Sequence, residues 1–260
     1  MLYSQASFTS LSNQRPVLVM LHGLLGSCED WQPCLQYLTE WPVIAIDLPG
    51  HGHSGNVGCR GFQDCCQLIV QAVQRQVSAD HPLVMVGYSL GARIVMSGMA
   101  SGDFDSLNIR SVILEGGNFG LTDANARQQR LLSDQQWAER FRTEPIAQVL
   151  ADWYRQPVFS SLNHEQRQTL ILKRSANLGE SIANMLLSTS LAKQAYLLDK
   201  LQQLSVPVHY ICGSKDRKFG QMAELSGLSF SQVANAGHNV HQEQPQAFAQ
   251  VIKQQLTELQ

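Results

Sequence analysis

No apolar run in this 260-residue chain approaches the ~20 residues that a membrane-spanning helix needs; the longest lie at residues 17–21 and 83–86 and read as buried strands. Residues 1–14 have neither a basic start nor an apolar stretch of signal-peptide kind, so no secretory leader is expected. Charge of one sign is lacking too. Nineteen Lys and Arg against 21 Asp and Glu leave a formal net charge of -2, which offers no footprint for a nucleic-acid backbone or an anionic membrane. The six cysteines, at 28, 34, 59, 65, 66 and 212, show no CxxC spacing. They read as free thiols of a cytoplasmic protein rather than as a disulfide or zinc framework. Repeats and low-complexity tracts are also missing, and only 15% of residues are charged. Collagen-like, coiled-coil and disordered classes are thereby excluded.

What is present is an alternation of short apolar segments with helical spacing, the pattern of βα units around a mainly parallel sheet. Strands are predicted over residues 16–21, 43–46, 83–87, 111–115, 206–212 and 229–233, and helices over 31–38, 62–77, 90–100 and onward from Pro245. Between about 118 and 200 the strand signal disappears into a stretch rich in Gln, Arg, Leu and Ala with helical spacing. This predicts a core domain of residues 1–117 and 201–260 carrying a helical lid inserted at 118–200.

Chemistry begins at Gly87-Tyr88-Ser89-Leu90-Gly91, a G-x-S-x-G that directly follows an apolar strand and opens a helix. A nucleophile elbow turns so sharply that its neighbours must be small, and Gly87, Gly91 and Ala92 meet that demand. The alternative is a glycine-softened turn with a capping serine. A serine hydroxyl is a weak nucleophile and a poor base until a histidine takes its proton, and that histidine needs a carboxylate to orient it. Asp216 follows one predicted strand and His238 the next, in the order Ser, Asp, His. Glu115 is the rival acid and His241 the rival base. Upstream, His22-Gly23-Leu24-Leu25-Gly26 follows the first strand, so the amides of Leu24 and Leu90 are candidates for an oxyanion hole, with the His22 side chain read as packing. His51 and His53 lie in Asp47-Leu48-Pro49-Gly50-His51-Gly52-His53-Ser54 without a carboxylate cluster, and no metal site or cofactor is expected. Arg93 stands one helical turn after Ser89, which suggests an anionic substrate; the alternative is an internal ion pair with Glu115 or Asp47.

The glycine-histidine motifs, the elbow and the ordered acid and base identify the α/β-hydrolase fold from about Pro16 to the end of the chain. Within it the sequence closely resembles the 2-succinyl-6-hydroxy-2,4-cyclohexadiene-1-carboxylate synthases of menaquinone biosynthesis. The resemblance rests on Gly87-Tyr88-Ser89-Leu90-Gly91-Ala92-Arg93, Glu115-Gly116-Gly117, Ser133-Asp134-x-Gln136-Trp137, Ala151-Asp152-Trp153-Tyr154-x-Gln156-Pro157-Val158-Phe159, Cys212-Gly213-x-x-Asp216 and Gly237-His238-Asn239. It implies a lyase that eliminates pyruvate from a small polycarboxylate, with Ser89, His238 and Asp216 as its triad. It further implies Tyr88, Arg93, Arg130, Trp153, Arg174 and Lys218 around the substrate. The chain departs from the family pattern at Ala92 and Gln242, where Gly and Arg are usual. An ester or thioester hydrolase working through an acyl-serine is the main alternative, a hydrolase-fold binding protein the non-enzymatic one. Oligomeric state is left open, and a monomer is compatible with every feature above.

Overall fold

The computed structural model describes residues 1–8 and 15–259; residues 9–14, part of the N-terminal stretch read above, lie outside them. Seven strands form one sheet: β1 Ser4–Ala6, β2 Val17–Leu21, β3 Val43–Ile46, β4 Leu83–Tyr88, β5 Ile109–Glu115, β6 Val208–Gly213 and β7 Ser229–Val233, in the spatial order β1-β3-β2-β4-β5-β6-β7. All neighbours run parallel except β1, which lies antiparallel along the edge of β3. A central parallel strand is covered on both faces, which is why β2 and β4 are apolar at every position instead of alternating.

Alternate residues still go to different layers. Val17, Val19, Leu21 and Met85 face the helices Phe62–Gln74 and Leu90–Ser101, through Cys65, Ile69, Ile94 and Val95. Leu18, Met20, Val84 and Val86 face Trp31, Phe248 and Ile252 on the other side, where the C-terminal helix Pro245–Thr257 packs. The resulting three layers leave the C-terminal ends of the parallel strands as a rim, the usual place for a site in an open α/β sheet.

The six predicted strands are all found, with ends shifted by at most two residues. The predicted helix over 31–38 is instead a 3-10 turn, Cys28–Trp31, followed by the single turn Gln32–Leu35. Between β5 and β6 come Ala124–Thr143, Ile146–Trp153, His164–Arg174, Gly179–Ser188 and Leu198–Gln202. The first four share a cluster of their own, including Phe141, Leu150, Leu170 and Ile182, and Leu25 from the turn after β2 plugs into it. Leu201, by contrast, packs in the sheet's core cluster.

Candidate active site

The turn from β4 into the helix Leu90–Ser101 places Ser89 at φ 49°, ψ -105°, a conformation L side chains rarely adopt. Two glycines make it possible. A Cβ at Gly87 would press on the backbone of Ala92, and one at Gly91 would collide with the carbonyl of Leu21. The amide of Ser89 donates to the carbonyl of Glu115 at 2.8 Å, and its Oγ stands at 3.3 Å from His238 Nε2. On the ring's other side Nδ1 donates to Asp216 Oδ2 at 2.8 Å. Asp216 Oδ1 also accepts from the amide of Phe219, so the same carboxylate caps the helix Arg217–Leu225. The Phe219 ring, 4.7 Å from the imidazole between centroids, covers the histidine.

The rival acid and base have partnered each other. Glu115 accepts from His241 Nδ1 at 2.8 Å and from the His241 amide at 3.1 Å, with both side chains fully buried. Burial of an unpaired carboxylate is expensive, so this pair removes Glu115 from any competition for His238. It also leaves Arg93 without the first ion-pair partner considered for it. Asp47, the second, accepts from the amides of Cys28 and His53. Among the described residues Arg93 meets only neutral acceptors, the Thr189 carbonyl at 2.9 Å and Gln194 Oε1 at 3.3 Å, while Phe62 lies under the guanidinium. Burial, with the positive Arg130 nearby, pushes its pKa down to about 9. A cation made less comfortable in this way favours an incoming anion.

Two adjoining cavities, of about 640 and 110 Å³, open on the triad. Ser89, Arg130, Trp153, Lys218 and Phe219 line both; the smaller adds Leu24, Leu90 and Arg93, and the larger adds Asp216, His238 and the aromatic wall of Trp137 and Phe159. As the first residue of its helix, Leu90 has no intrahelical acceptor for its amide, and the Leu24 amide donates to no acceptor among the described residues. Arg130 is held by Asp134 at 2.8 Å and stays half-exposed.

Tyr88 and Arg174 line neither cavity, contrary to their expected place at the substrate. Tyr88 lies beneath the triad, where its hydroxyl donates to Asn239 Oδ1 and its ring sits between those of His238 and His241. Arg174 is buried against Asp30 at 2.6 Å and borders a separate cavity of about 370 Å³. Burial alone would raise the Asp30 carboxyl; the Arg174 guanidinium outweighs it and holds the carboxyl below its usual range. His22 and His51, read as a packing residue and a discounted metal ligand, hydrogen-bond through both ring nitrogens. No spacing rule points to Thr189 or Gln194, which reach Arg93 from some hundred residues away.

The α/β-hydrolase family profile matches residues 18–251. The synthase from Serratia proteamaculans is 48% identical over 239 residues, 92% of each chain, and that from Yersinia pseudotuberculosis serotype O:1b is 47% identical over 234, covering 90% of this chain and 85% of its own; both are named 2-succinyl-6-hydroxy-2,4-cyclohexadiene-1-carboxylate synthase. The chain belongs to this synthase family of α/β hydrolases. MenH from S. aureus has the same fold with a TM-score of 0.89 at 25% identity, over 100% of this chain and 99% of its own. A Thermogutta terrifontis esterase, solved with malate bound, shares the fold at a TM-score of 0.79 and 21% identity, over 99% and 93%. The synthase family and the esterase thus use one scaffold, and the contents of the cavity distinguish their chemistry.

Proposed function

We propose that this chain is a carbon-oxygen lyase that eliminates pyruvate from 2-succinyl-5-enolpyruvyl-6-hydroxy-3-cyclohexene-1-carboxylate, giving 2-succinyl-6-hydroxy-2,4-cyclohexadiene-1-carboxylate, as a cytoplasmic enzyme of menaquinone biosynthesis. The observation that carries this reading is a serine-histidine-aspartate relay beside a buried Arg93 whose partners are all neutral. Family membership at nearly half identity supports it. Six free cysteines and no helix among the described residues long and apolar enough to cross a membrane fit the compartment.

The substrate's C2 proton lies next to the succinyl ketone and is acidified by it. Ser89, its own proton passing to His238 Nε2, removes that proton, and Asp216 stabilises the imidazolium that forms. Electrons move onto the ketone oxygen, which the Leu24 and Leu90 amides hold as an enolate. On collapse they pass through the ring double bond and expel the C5 oxygen as the enolate of pyruvate; the imidazolium of His238 gives up its proton, and the enolate gains one at its methylene carbon, so that pyruvate is released and the relay is restored. No water enters the net reaction. Arg93, Arg130 and Lys218 bind the carboxylates, Trp153 bounds the ring, and the helical insertion closes over them as a lid.

An acyl-serine hydrolase would use the same relay, so the test follows the fate of Ser89. With the enolpyruvyl substrate we expect pyruvate release, an unmodified serine by intact mass, and no solvent heavy oxygen in the rapidly quenched ring product. A covalent intermediate on Ser89, or solvent oxygen in that ring, overturns the lyase reading in favour of the hydrolase.

A further inference from the structure

The Leu24 amide is useful as an oxyanion donor only if its peptide plane is held at one angle, and the turn that carries it is not a comfortable one. Leu25, next in the chain, sits at φ 71°, where a leucine is rare. Such a conformation persists when its surroundings over-determine it. Here the surroundings are two imidazoles.

We propose that His22 and His51 are positioning residues of the proposed reaction, each a neutral imidazole that fixes one of the two peptide planes flanking Leu24 and together aiming its amide at the oxyanion. The inference rests on the reading of Leu24 as an oxyanion donor and adds to it two residues with no other assigned role. In a planar trans peptide the carbonyl and the amide point to opposite sides. The Gly23 carbonyl shares its plane with the Leu24 amide, and it accepts from His22 Nδ1 at 2.7 Å and from the Gly26 amide at 3.0 Å. Holding that oxygen on one side therefore directs the Leu24 N–H to the other. The following plane is fixed by the Leu25 amide, which donates to His51 Nε2 at 2.9 Å.

Each ring is itself anchored in the loop after β3. His22 Nε2 accepts from the Leu48 amide at 3.0 Å, and His51 Nδ1 donates to the Pro49 carbonyl at 2.8 Å. Both rings thus carry their proton on Nδ1 and use Nε2 as an acceptor from a backbone amide. A second proton would turn that acceptor into a donor facing an N–H. Both side chains are fully buried, with ring centroids 5.1 Å apart. Burial and, for His51, the neighbouring ring keep them neutral, His51 down to about 3, against the opposing pull of Asp30. Asp47 also pulls His22 toward protonation, and Arg174 acts on both rings in the other direction.

The test compares His51→Phe, which keeps a ring but offers no acceptor, with His51→Gln, whose amide oxygen can replace Nε2, and His22→Ala with His22→Asn, whose amide nitrogen can replace Nδ1. Two rates are read: steady-state turnover of the enolpyruvyl substrate, and labelling of Ser89 by a fluorophosphonate, whose phosphoryl oxygen needs the same hole whatever the native reaction. For His51→Phe and His22→Ala we expect kcat and the labelling rate to fall about 10- to 100-fold, up to the scale of losing one oxyanion donor. KM should stay within about threefold, and the Gln and Asn variants should recover most of the loss. If the wild type releases no pyruvate but labelling follows this pattern, the lyase reading fails and the positioning role stands. Folded Phe and Ala variants that label and turn over at the wild-type rate overturn the proposal, as do Gln and Asn variants no better than these. Should Phe or Ala not fold, the ratio of His51→Gln to His51→Leu decides by the same criteria.

Discussion

A guanidinium brings five N–H donors to wherever it is buried, and at Arg93 one nitrogen alone satisfies two neutral acceptors. Arg93 lines the smaller cavity, and its remaining donors have no acceptor among the described residues, so Arg93→Met keeps the packing and removes the fork. We expect a loss of ~2–5 kcal/mol in kcat/KM for the anionic substrate, the range for truncating one side of a buried charged pair. Wild-type kinetics in the variant would make Arg93 a strut for the Thr189 carbonyl. Asp216 permits a cleaner separation, because its two oxygens do different work. Asn is as good an N-cap as Asp, so Asp216→Asn should melt near the wild type while losing activity; Asp216→Ala should lose the activity and also about 1 kcal/mol of stability. A chain-order rule reached Ser89, Asp216 and His238 because the proposed relay needs these residue types, in this order, after β4, β6 and β7. That rule is silent on Tyr88 and Arg174. Their expected places came from motif position, and position does not tell whether a side chain faces a cavity or a buried neighbour.

Among the elements, apolar composition disclosed every strand that is buried on both faces, but not β1, whose Ser4-Gln5-Ala6 has no apolar signal and is held by backbone pairing with β3 and a hydrogen bond from Gln76 to Ser4 Oγ. The helix Arg217–Leu225 escaped for a related reason. It has a glycine inside, and its cap is Asp216, the proposed triad acid, so its start reads as a catalytic loop. Pro33 lies in the first turn of Gln32–Leu35, but that helix runs for only four residues, so a longer prediction over 31–38 overshoots. How the inserted helices dock is invisible to spacing altogether, since it depends on pairs such as Asp30–Arg174, 144 residues apart. That pair ties the turn Cys28–Trp31 to His164–Arg174. Asp30→Ala leaves a buried guanidinium unpaired, for which a penalty of ~3–5 kcal/mol is usual. Hydrogen exchange should then speed up first across residues 164–174, ahead of the sheet; uniform exchange would show that the pair does not govern docking.

For the molecule as a whole, the buried imidazoles of His22 and His51 set an acid limit. Their pKa values lie below 6.5 in the folded chain, so the unfolded chain binds protons that the native one refuses. Their contribution is complete above about pH 6.5 and is lost as pH falls toward about 3, where His51 finally titrates. Thermal melts from pH 7 to 4 should therefore fall more steeply for the wild type than for His51→Gln; parallel curves would dissociate His51 from acid sensitivity. The elbow has a global consequence of another kind. Ser89 occupies a conformation that only glycine visits without penalty, and residues so held lose of order 1–3 kcal/mol. Ser89→Gly and Ser89→Ala both lack the hydroxyl and should be equally inactive, yet the glycine variant should melt higher, even after the ~0.5–1 kcal/mol by which glycine's freedom favours the unfolded chain. The difference between two dead enzymes would then measure how far this fold has been bent out of its own best shape to hold one hydroxyl ready.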